Sequence, residues 1–423
     1  MSFFTGPMRK MIKGYKELTL DNEILKLDPN LVKEAYFPIN DKANTKILVS
    51  VGDRVLAGQK IAEINGKYYV PIYSSISGIV RDNVKKLNSF NKTAEHLVVE
   101  NDFLYEKMTY PTVSLDSTKE EIVAFIKEMG ITGQGGGGFP MYVKYENYSV
   151  DTVLLNAVEC EPYITADNRM IKEHLKELKL GAKALIKAAN AKNLIIAIKA
   201  KFTNVIAELN DFFKDEANIS VRTVGDYYPM GYEKSLIENL FKKTYDRIPH
   251  EIGIVVSNVT SAIALGKSML SGLPIIEKLV TVSGDGINKP HNVIAPVGTL
   301  VKDLFELCGG IKYDTIQILI GGPMMGTSVL KDDVALSAHT NAVTIMEFKQ
   351  YESSPCLRCS RCVDFCPIGL QPCNINLAAA AKNKERVIKL RAFDCTECGT
   401  CSFVCPSHLE VCEGIKKAKV LFK

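Results

Sequence analysis

The chain has 423 residues, of which 46% are hydrophobic and 24% are charged, and its formal net charge is +4. This length accommodates two to four domains, and this composition is typical of a soluble globular protein. The small net charge and the lack of a basic run with interleaved aromatic residues give no reason to expect nucleic-acid binding, and no apolar stretch is long enough to span a bilayer.

Residues 1–110 are predicted to form a β-sandwich. Alternating apolar and polar residues mark its strands at 46–50, 60–64 and 68–72. The segments 51–55, 57–62 and 77–80 resemble lipoyl and biotinyl carrier domains, which attach their cofactor to a lysine at a hairpin tip. The corresponding turn, residues 74–78, contains no lysine. We therefore interpret this domain as a structural or docking module.

Residues 111–275 alternate between helix and strand patterns, which predicts an α/β domain. The first helix is expected over residues 117–129 and begins with a capping box formed by Ser117 and Glu120. Strands are predicted at 152–156, 193–198, 220–224 and 253–257. Helices are predicted at 168–189, 203–213, 233–241 and 260–268.

A run of glycines interrupts this domain at residues 133–138, followed by Phe139 and Pro140. Backbone without side chains lets N–H groups approach a phosphate or a flat ring closely. Pro140 suits the first turn of a following helix, and Lys144 adds a positive charge one turn later. A helix precedes the run and no Gly-Lys-Ser/Thr follows it, so it is neither a Rossmann nor a Walker motif. The alternative is a flexible linker.

Polar side chains follow two of the predicted strands. Asn156, Glu159 and Glu161 come after the strand at 152–156, and ligands commonly bind at the carboxyl ends of strands in α/β sheets. Asn156 is suited to hydrogen-bond a flat heterocycle, and the two glutamates are suited to orient hydroxyl or amide groups. Asn258 and Ser261 have the same relation to the strand at 253–257. The alternative is that such residues only cap helices.

The C-terminal region, residues 327–423, contains the motif C-x2-C-x2-C-x3-C-P twice. This spacing is typical of ferredoxins with two [4Fe-4S] clusters, in which the fourth cysteine of each motif ligates the other cluster. The first cluster would bind Cys356, Cys359, Cys362 and Cys405, and the second would bind Cys395, Cys398, Cys401 and Cys366. A helix is expected between the motifs, at about residues 375–389.

Other uses of these cysteines fit less well. Zinc ribbons use paired CxxC units without the proline, and residues 1–16 are basic but lack the apolar core of a secretory signal, so disulfides are not expected. The four remaining cysteines are interpreted as small buried hydrophobic residues without a ligand role. They are Cys160, Cys308, Cys373 and Cys412.

Five further segments, together with the cysteine motifs, resemble the peripheral C subunit of the Rnf ferredoxin:NAD oxidoreductase and, more distantly, the flavin subunit of respiratory complex I. These segments are residues 133–144, 156–169, 228–237, 257–262 and 321–326. The resemblance implies that residues 276–326 are a small β-grasp domain. It implies flavin mononucleotide (FMN) bound by Gly133, Gly135, Gly136, Lys144, Asn156, Asn258 and Ser261. It also implies NAD(H) stacked near Phe139 and facing Glu161.

The implied function is electron transfer between NAD(H), FMN and two [4Fe-4S] clusters, in a cytoplasmic peripheral subunit on the inner face of the cell membrane. Its partners would be the membrane subunits of an Rnf-type complex, with ferredoxin as a further candidate. Lys199 and Lys201 stand where relatives tend to carry acidic residues. A soluble relative that serves a reductase, such as an amino-acid reductase, is therefore the alternative, and a zinc-stabilised interaction protein is a third. No side chain is assigned an acid–base or nucleophilic role.

Overall fold

The computed structural model describes residues 12–422 and contains four sheets and twelve α-helices in that part of the chain. Residues 1–11, most of the basic segment that was predicted not to be a secretory signal, lie outside the described residues. Within residues 12–422, no helix combines the length and the apolar character needed to cross a membrane. The short strand β1 (Leu25–Lys26) belongs to a sheet formed much later in the chain.

The N-terminal region is a β-sandwich, as the sequence predicts. Its larger antiparallel sheet has the strand order β2-β8-β7-β4 and its smaller one the order β3-β5-β6, around buried Phe37, Ile61 and Val99. The turn at 74–78 is buried, and Ser75 Oγ donates to the carbonyl of Val297 in the third region. The strands are β2 (Glu34–Ile39), β3 (Thr45–Ile47), β4 (Arg54–Val55), β5 (Lys60–Asn65), β6 (Tyr69–Tyr73), β7 (Gly78–Leu87) and β8 (Thr93–Asn101).

The second region is an α/β domain with a parallel four-stranded sheet in the order β11-β10-β9-β12. Three of its strands are rich in buried apolar residues because helices cover the sheet, whereas the edge strand at 219–224 has exposed polar residues. The strands are β9 (Thr152–Ala157), β10 (Asn193–Lys199), β11 (Ile219–Val224) and β12 (Ile254–Asn258). The helices are α1 (Lys119–Glu128), α2 (Ala166–Glu173), α3 (Leu175–Ala188), α4 (Thr203–Phe212), α5 (Glu233–Phe241) and α6 (Val259–Ser271).

Three local predictions for this domain were wrong. The capping box uses Thr118 and Glu121, one residue later than predicted, because Thr118 Oγ1 accepts the Glu121 N–H. The predicted helix at 168–189 is two helices, divided at His174, whose backbone is not helical. Pro140 precedes only a four-residue 3₁₀ turn, Met141–Lys144, so no α-helix N-terminus faces the glycine run there.

Helices α3 and α6 pack closely because glycines lie at their contact. A Cβ atom placed on Gly181 would overlap the carbonyl of Ala262, and one placed on Gly266 would overlap the carbonyl of Glu177. Two backbones can approach this closely only where side chains are absent. Since α6 begins at Val259, this contact sets the position of the helix that follows the end of β12.

The third region is a mixed six-stranded sheet in the order β1-β14-β13-β17-β15-β16. Strand β1 pairs in parallel with β14, and β17 pairs in parallel with β13, so this sheet also takes strands from outside residues 276–326. The remaining elements are β13 (Glu277–Ser283), β14 (His291–Pro296), α7 (Asp303–Leu307), β15 (Ile316–Ile320), β16 (Thr327–Val329) and β17 (Ala342–Glu347).

The C-terminal region is helical, as predicted for a two-cluster ferredoxin-like domain. The expected helix at 375–389 is interrupted near Lys382, whose φ of 52° is left-handed. The helices are α8 (Arg361–Asp364), α9 (Pro372–Ala380), α10 (Lys384–Lys389), α11 (Thr400–Phe403) and α12 (Val411–Leu421).

The contact between α3 and α6 yields a stability prediction. Gly181→Ala should lower the free energy of unfolding by about 1–3 kcal/mol, although alanine is the better helix former, because its methyl group overlaps the Ala262 carbonyl. Urea unfolding measures this change. Lys176→Ala, at an exposed position of the same helix, should change stability by less than about 0.5 kcal/mol. Equal effects of the two substitutions would contradict the close packing.

Candidate functional site

The carboxyl ends of β9 and β12 bring two asparagines side by side. Asn156 and Asn258 are neighbours in the register of the parallel strands. Asn156 Nδ2 donates to the carbonyl of Gly231 at 2.7 Å, and Asn258 Oδ1 accepts the N–H of Thr260 at 2.9 Å as the N-cap of α6. The helix-cap interpretation therefore holds for Asn258. Its amide nitrogen donates to Asp167 instead.

The glycine run forms a closed loop beside these strand ends. Gly133 N–H donates to the Phe139 carbonyl at 2.8 Å, and Gln134 N–H donates to Ser261 Oγ at 2.9 Å. A Cβ atom on Gly135 would lie 3.0 Å from Asn258 Nδ2. The loop is thus anchored to the start of α6 while the backbone at 135–137 is exposed. Such anchoring disfavours the flexible-linker interpretation.

Lys144 and Phe139 lie next to each other at the edge of the loop. Lys144 Nζ donates to the Val256 carbonyl at 2.7 Å and lies 6.0 Å from the centre of the Phe139 ring. Burial lowers the pKa of Lys144, and Glu233 at 3.9 Å opposes this shift. The Phe139 ring is exposed and meets Tyr68 edge-on, so one aromatic face is available to a flat ligand.

Asp167 links the loop that follows β9 to the start of α6. Its carboxylate accepts hydrogen bonds from Asn258 Nδ2 and Thr260 Oγ1, both at 2.7 Å, and its N–H donates to Glu159 Oε1 at 2.8 Å. The other oxygen of Glu159 accepts from Asn168 Nδ2 at 2.6 Å. Glu159 is therefore engaged inside the protein, so it shapes the loop and does not face a ligand directly.

Lys16 is a buried residue that the sequence did not single out. Its ammonium lies 3.9 Å from Glu159 Oε2 and donates to the carbonyls of Glu161 and Ile164. Burial lowers the pKa of Lys16 and raises that of Glu159, while their attraction opposes both shifts. More than 140 positions separate Lys16 from this loop in the chain, so no local pattern could have predicted the contact.

Lys278 is a second cation that the sequence did not single out. It is buried on β13 of the neighbouring sheet, and its Nζ donates to the side-chain oxygen of Gln134 in the glycine loop. Burial lowers the pKa of Lys278 to about 7, and the charge of Asp167 opposes this shift. The third region thus supports the glycine loop through a contact that only the tertiary structure reveals.

Glu161 lies apart from the other strand-end residues, at the contact with the cysteine region. Its Oε2 accepts the Met324 N–H at 3.1 Å, and the Tyr228 hydroxyl lies 3.5 Å from Oε1. That hydroxyl donates to the Cys398 carbonyl at 2.7 Å. Gly399 lies directly against the Met324 carbonyl, leaving no space for a side chain. Burial raises the pKa of Glu161 to about 7.

The first cysteine set surrounds an open cavity of about 500 Å³. Cys405, from the second motif, lines this cavity together with three cysteines of the first motif, as the crossed arrangement requires. Two of the four are exposed to solvent. The set consists of Cys356, Cys359, Cys362 and Cys405.

The second cysteine set lines a smaller cavity beside the α/β domain. Cys366 has crossed from the first motif to join three cysteines of the second, and three of the four are buried. The set consists of Cys366, Cys395, Cys398 and Cys401. Among residues 12–422, no three Cys, His, Asp or Glu side chains converge on one point as the ligands of a single ion do. The thiols instead line cavities, an arrangement suited to an inorganic cube.

Two of the four other cysteines differ in burial from the prediction. Cys308 lies in the core of the third region, as expected, but Cys160 and Cys373 are only partly buried. Cys373 lines the cavity of the first set, and Cys412 lines that of the second. Each of these last two follows the fourth cysteine of its motif by seven residues, so the repeat extends further than the motif itself.

Comparison with known protein families gives four matches along the chain. Residues 10–104 match the RnfC barrel sandwich hybrid domain, and residues 126–267 match the Nuo51 FMN-binding domain. Residues 279–328 match the SLBB domain, and residues 355–410 match the 4Fe-4S dicluster domain. These matches agree with the predicted sequence of domain types and favour clusters over zinc.

Curated relatives are similar over most of the chain. The C subunit of the Na⁺-translocating ferredoxin:NAD⁺ oxidoreductase complex of Acetobacterium woodii is 31% identical over 78% of this chain and 76% of its own. The C subunit of the proton-translocating complex of Clostridium ljungdahlii is 30% identical over 81% and 78%. The C subunit of the ion-translocating oxidoreductase complex of Rhodobacter capsulatus is 30% identical over 89% and 75%.

Among solved structures, an NAD⁺-reducing [NiFe]-hydrogenase in its air-oxidised state has a similar fold. The TM-score is 0.52 with 17% sequence identity, and the alignment covers 74% of this chain and 64% of the hydrogenase chain. At this identity the similarity concerns the fold alone.

The crossed arrangement of the cysteines can be tested by metal content. Cys405→Ser should lose about half of the iron of the anaerobically purified protein, because a cube that lacks one thiolate is held less firmly. Cys373→Ser, which removes a thiol from the same cavity, should retain all of it. Iron and acid-labile sulfide per chain measure both effects. Equal losses in the two variants would contradict the assignment of Cys405 as the fourth ligand.

The buried carboxyl of Glu161 yields a pH prediction. Because burial raises its pKa from 4.5 to about 7, its contribution to stability is complete below about pH 4.5 and is lost as the pH rises through about 7. The difference in melting temperature, wild type minus Glu161→Gln, should therefore decrease as the pH rises from about 5 to about 8. Asn210→Ala, which removes no titratable group from an exposed position, should give no such trend. A constant difference for Glu161→Gln would disprove the shift.

Proposed function

Because this chain belongs to the family formed by the C subunits of ion-translocating ferredoxin:NAD⁺ oxidoreductases of the Rnf type, we propose that it transfers electrons between NAD(H) and a partner protein. The chain is a flavo-iron-sulfur protein of this family, with FMN and [4Fe-4S] clusters as its cofactors. The observation that carries the proposal is the contact of the glycine-loop domain with the second cysteine set through Tyr228 and Cys398.

The residues around the glycine loop fit a flavin nucleotide. Exposed glycine backbone at Gly135 and Gly136 offers close approach, and Gly133 closes the loop that carries them. Lys144 supplies a cation beside Phe139, and Ser261 holds the loop in place. Asn156 and Asn258 use their amide groups in hydrogen bonds inside the protein, so they shape the strand ends beside the loop. We propose that the glycine backbone and Lys144 contact FMN directly, that Asn156, Asn258 and Ser261 position them, and that the two crossed cysteine sets hold the clusters.

A bound flavin exchanges either a hydride or single electrons, whereas an iron–sulfur cluster carries one electron at a time. The residues of this chain supply position and charge. Glu159, Asp167 and Lys16 fix the loop after β9, and Lys278 fixes Gln134 in the glycine loop. The exposed ring of Phe139 offers a stacking face for a nicotinamide nucleotide, whereas Glu161 lies apart from the glycine loop, at the contact with the cysteine region. No acid–base or nucleophilic side chain is required.

We propose that the chain works as a peripheral subunit on the cytoplasmic face of a membrane complex of the Rnf type. The support is the similarity to the C subunits of such complexes over 78% and 89% of this chain. The second candidate is a soluble relative that delivers electrons to a reductase. Lys199 and Lys201 favour it, because the resemblance implies acidic residues at these positions near the nicotinamide nucleotide. Here both lysines instead pair with Asp226 at 2.7 Å.

The two candidates differ in their response to NADH. The protein, purified anaerobically with FMN and clusters, is mixed with NADH while the flavin absorbance is followed. Bleaching of the flavin and reduction of ferricyanide support the NADH-linked subunit. A flavin that NADH does not bleach, but that dithionite does, supports the soluble relay. A preparation with neither flavin nor iron and sulfide would refute both.

The glycine loop yields a prediction about flavin content. Gly135→Val should remove most of the FMN, because its side chain would meet Asn258 and fill the space beside the exposed backbone. Its iron content should stay at the wild-type value. Gly137→Ala, where an added Cβ meets nothing within 4 Å, is the matched control and should keep its FMN. Fluorescence of the released flavin gives the stoichiometry. Full FMN content in Gly135→Val would exclude the loop as the flavin site.

A further inference from the structure

The open side of the first cysteine set presents an apolar surface. Three leucines that line its cavity are unusually exposed: Leu357 at 65%, Leu377 at 51% and Leu421 at 61%. They come from the first cysteine motif, from α9 and from α12, so three separate parts of the chain contribute to one surface. Exposed apolar clusters of this kind mark interaction sites more often than isolated apolar residues do.

Cations border this apolar surface. Arg358, Arg361 and Lys417 line the same cavity and are exposed, and none of the acidic residues that the structure describes lines it. Within the described residues, no ion pair includes any of the three, whereas Arg391 and Lys419 of the same region pair with acidic neighbours. A cluster with four thiolates is itself negative and is partly balanced by these cations. The unpaired side chains nevertheless point to a partner with carboxylates.

The second cysteine set has no comparable surface in the described part of the chain. None of the described residues that line its cavity is charged. Cys398 lies against Tyr228, and Gly399 lies against Met324, both in preceding regions of the chain. The two sets therefore differ in access. One faces the interior of the protein, and the other faces solvent through its two exposed cysteines.

We propose that Leu357, Leu377 and Leu421, with Arg358, Arg361 and Lys417, form a docking face for an acidic electron-carrier protein. This inference rests on the proposed function and adds the surface and the charge of the partner. An apolar centre with a charged rim is typical of a transient protein interface, and opposite charges speed the encounter. In each encounter one electron leaves the reduced centre and enters the oxidised one, and no bond is formed or broken.

A carrier protein fits this face better than an anionic membrane does. Both would attract the three cations, but the exposed leucines come from the segments that surround the first cysteine set, so a protein bound to them lies next to the cluster site. The exposed cysteines at the base of the cavity also need a redox partner within reach, which a lipid headgroup does not provide.

The test uses the holoprotein and a purified, strongly acidic two-cluster ferredoxin as the probe. Arg358→Glu/Arg361→Glu/Lys417→Glu is compared with Lys107→Glu/Lys176→Glu/Lys243→Glu, which makes the same change of net charge at exposed positions elsewhere. A neutral variant, Arg358→Gln/Arg361→Gln/Lys417→Gln, guards against misfolding. Iron, sulfide and FMN contents are confirmed first. Affinity for ferredoxin is measured by calorimetry, and electron transfer is measured by stopped flow at several salt concentrations.

The charge-reversed variant should bind ferredoxin about tenfold more weakly or worse and lose most of the salt dependence, and the neutral variant should lie between it and the wild type. The control should match the wild type. Reduction of the bound flavin by NADH, which does not involve the first cysteine set, should be unchanged in all variants. Failure of that reaction in the wild type would refute the proposed function instead.

Two results would overturn the docking face. The first is equal ferredoxin binding by the charge-reversed variant and the control. The second is unchanged ferredoxin binding combined with a loss of sedimentation with phosphatidylglycerol vesicles, because the cations would then serve a membrane and not a carrier protein.

Discussion

The molecule depends on one contact between two regions that are distant in the chain. The Tyr228 hydroxyl donates to the Cys398 carbonyl, and Glu161 accepts the N–H of Met324, whose own carbonyl lies against Gly399. A side chain at position 399 would separate these surfaces. The contact is buried, so its hydrogen bonds do not compete with water and hold one geometry. It determines that the second cysteine set faces the glycine-loop domain and that the first faces solvent.

A second constraint acts at the strand ends. Asp167 brings charge into the protein interior, where it is tolerated because Asn258, Thr260 and the nearby Lys278 compensate it. Because Asp167 N–H also binds Glu159, the loop after β9 and the start of α6 cannot move independently. The glycine loop is attached to the same helix. A preorganised cradle of this kind lowers the entropy lost when a flat cofactor binds.

Much of this arrangement was predictable where the chemistry depends on local spacing. The cysteine motifs, the glycine run and the apolar strands are each encoded within about ten consecutive residues, and the predicted domain types agree with the family matches. The errors concern where helices begin and where they divide. The helix predicted over 168–189 divides at His174, which separates the helix that carries Asp167 from the helix packed on α6. The capping box begins one residue later than predicted, because Ser117 and Thr118 are adjacent and either hydroxyl can serve as the N-cap.

The sequence alone determined which groups are present: eight thiols at cluster spacing, glycines without side chains and strand-end polar residues, because each is a local property of the chain. Only the tertiary structure decided which groups meet. It buried Lys16 against Glu159 and directed Glu159 inward, and it grouped Cys405 and Cys366 in the crossed sets that the motif spacing predicts. It also exposed one cysteine set and buried the other. Such contacts join residues far apart in the chain, and their energies depend on burial, which no local pattern specifies.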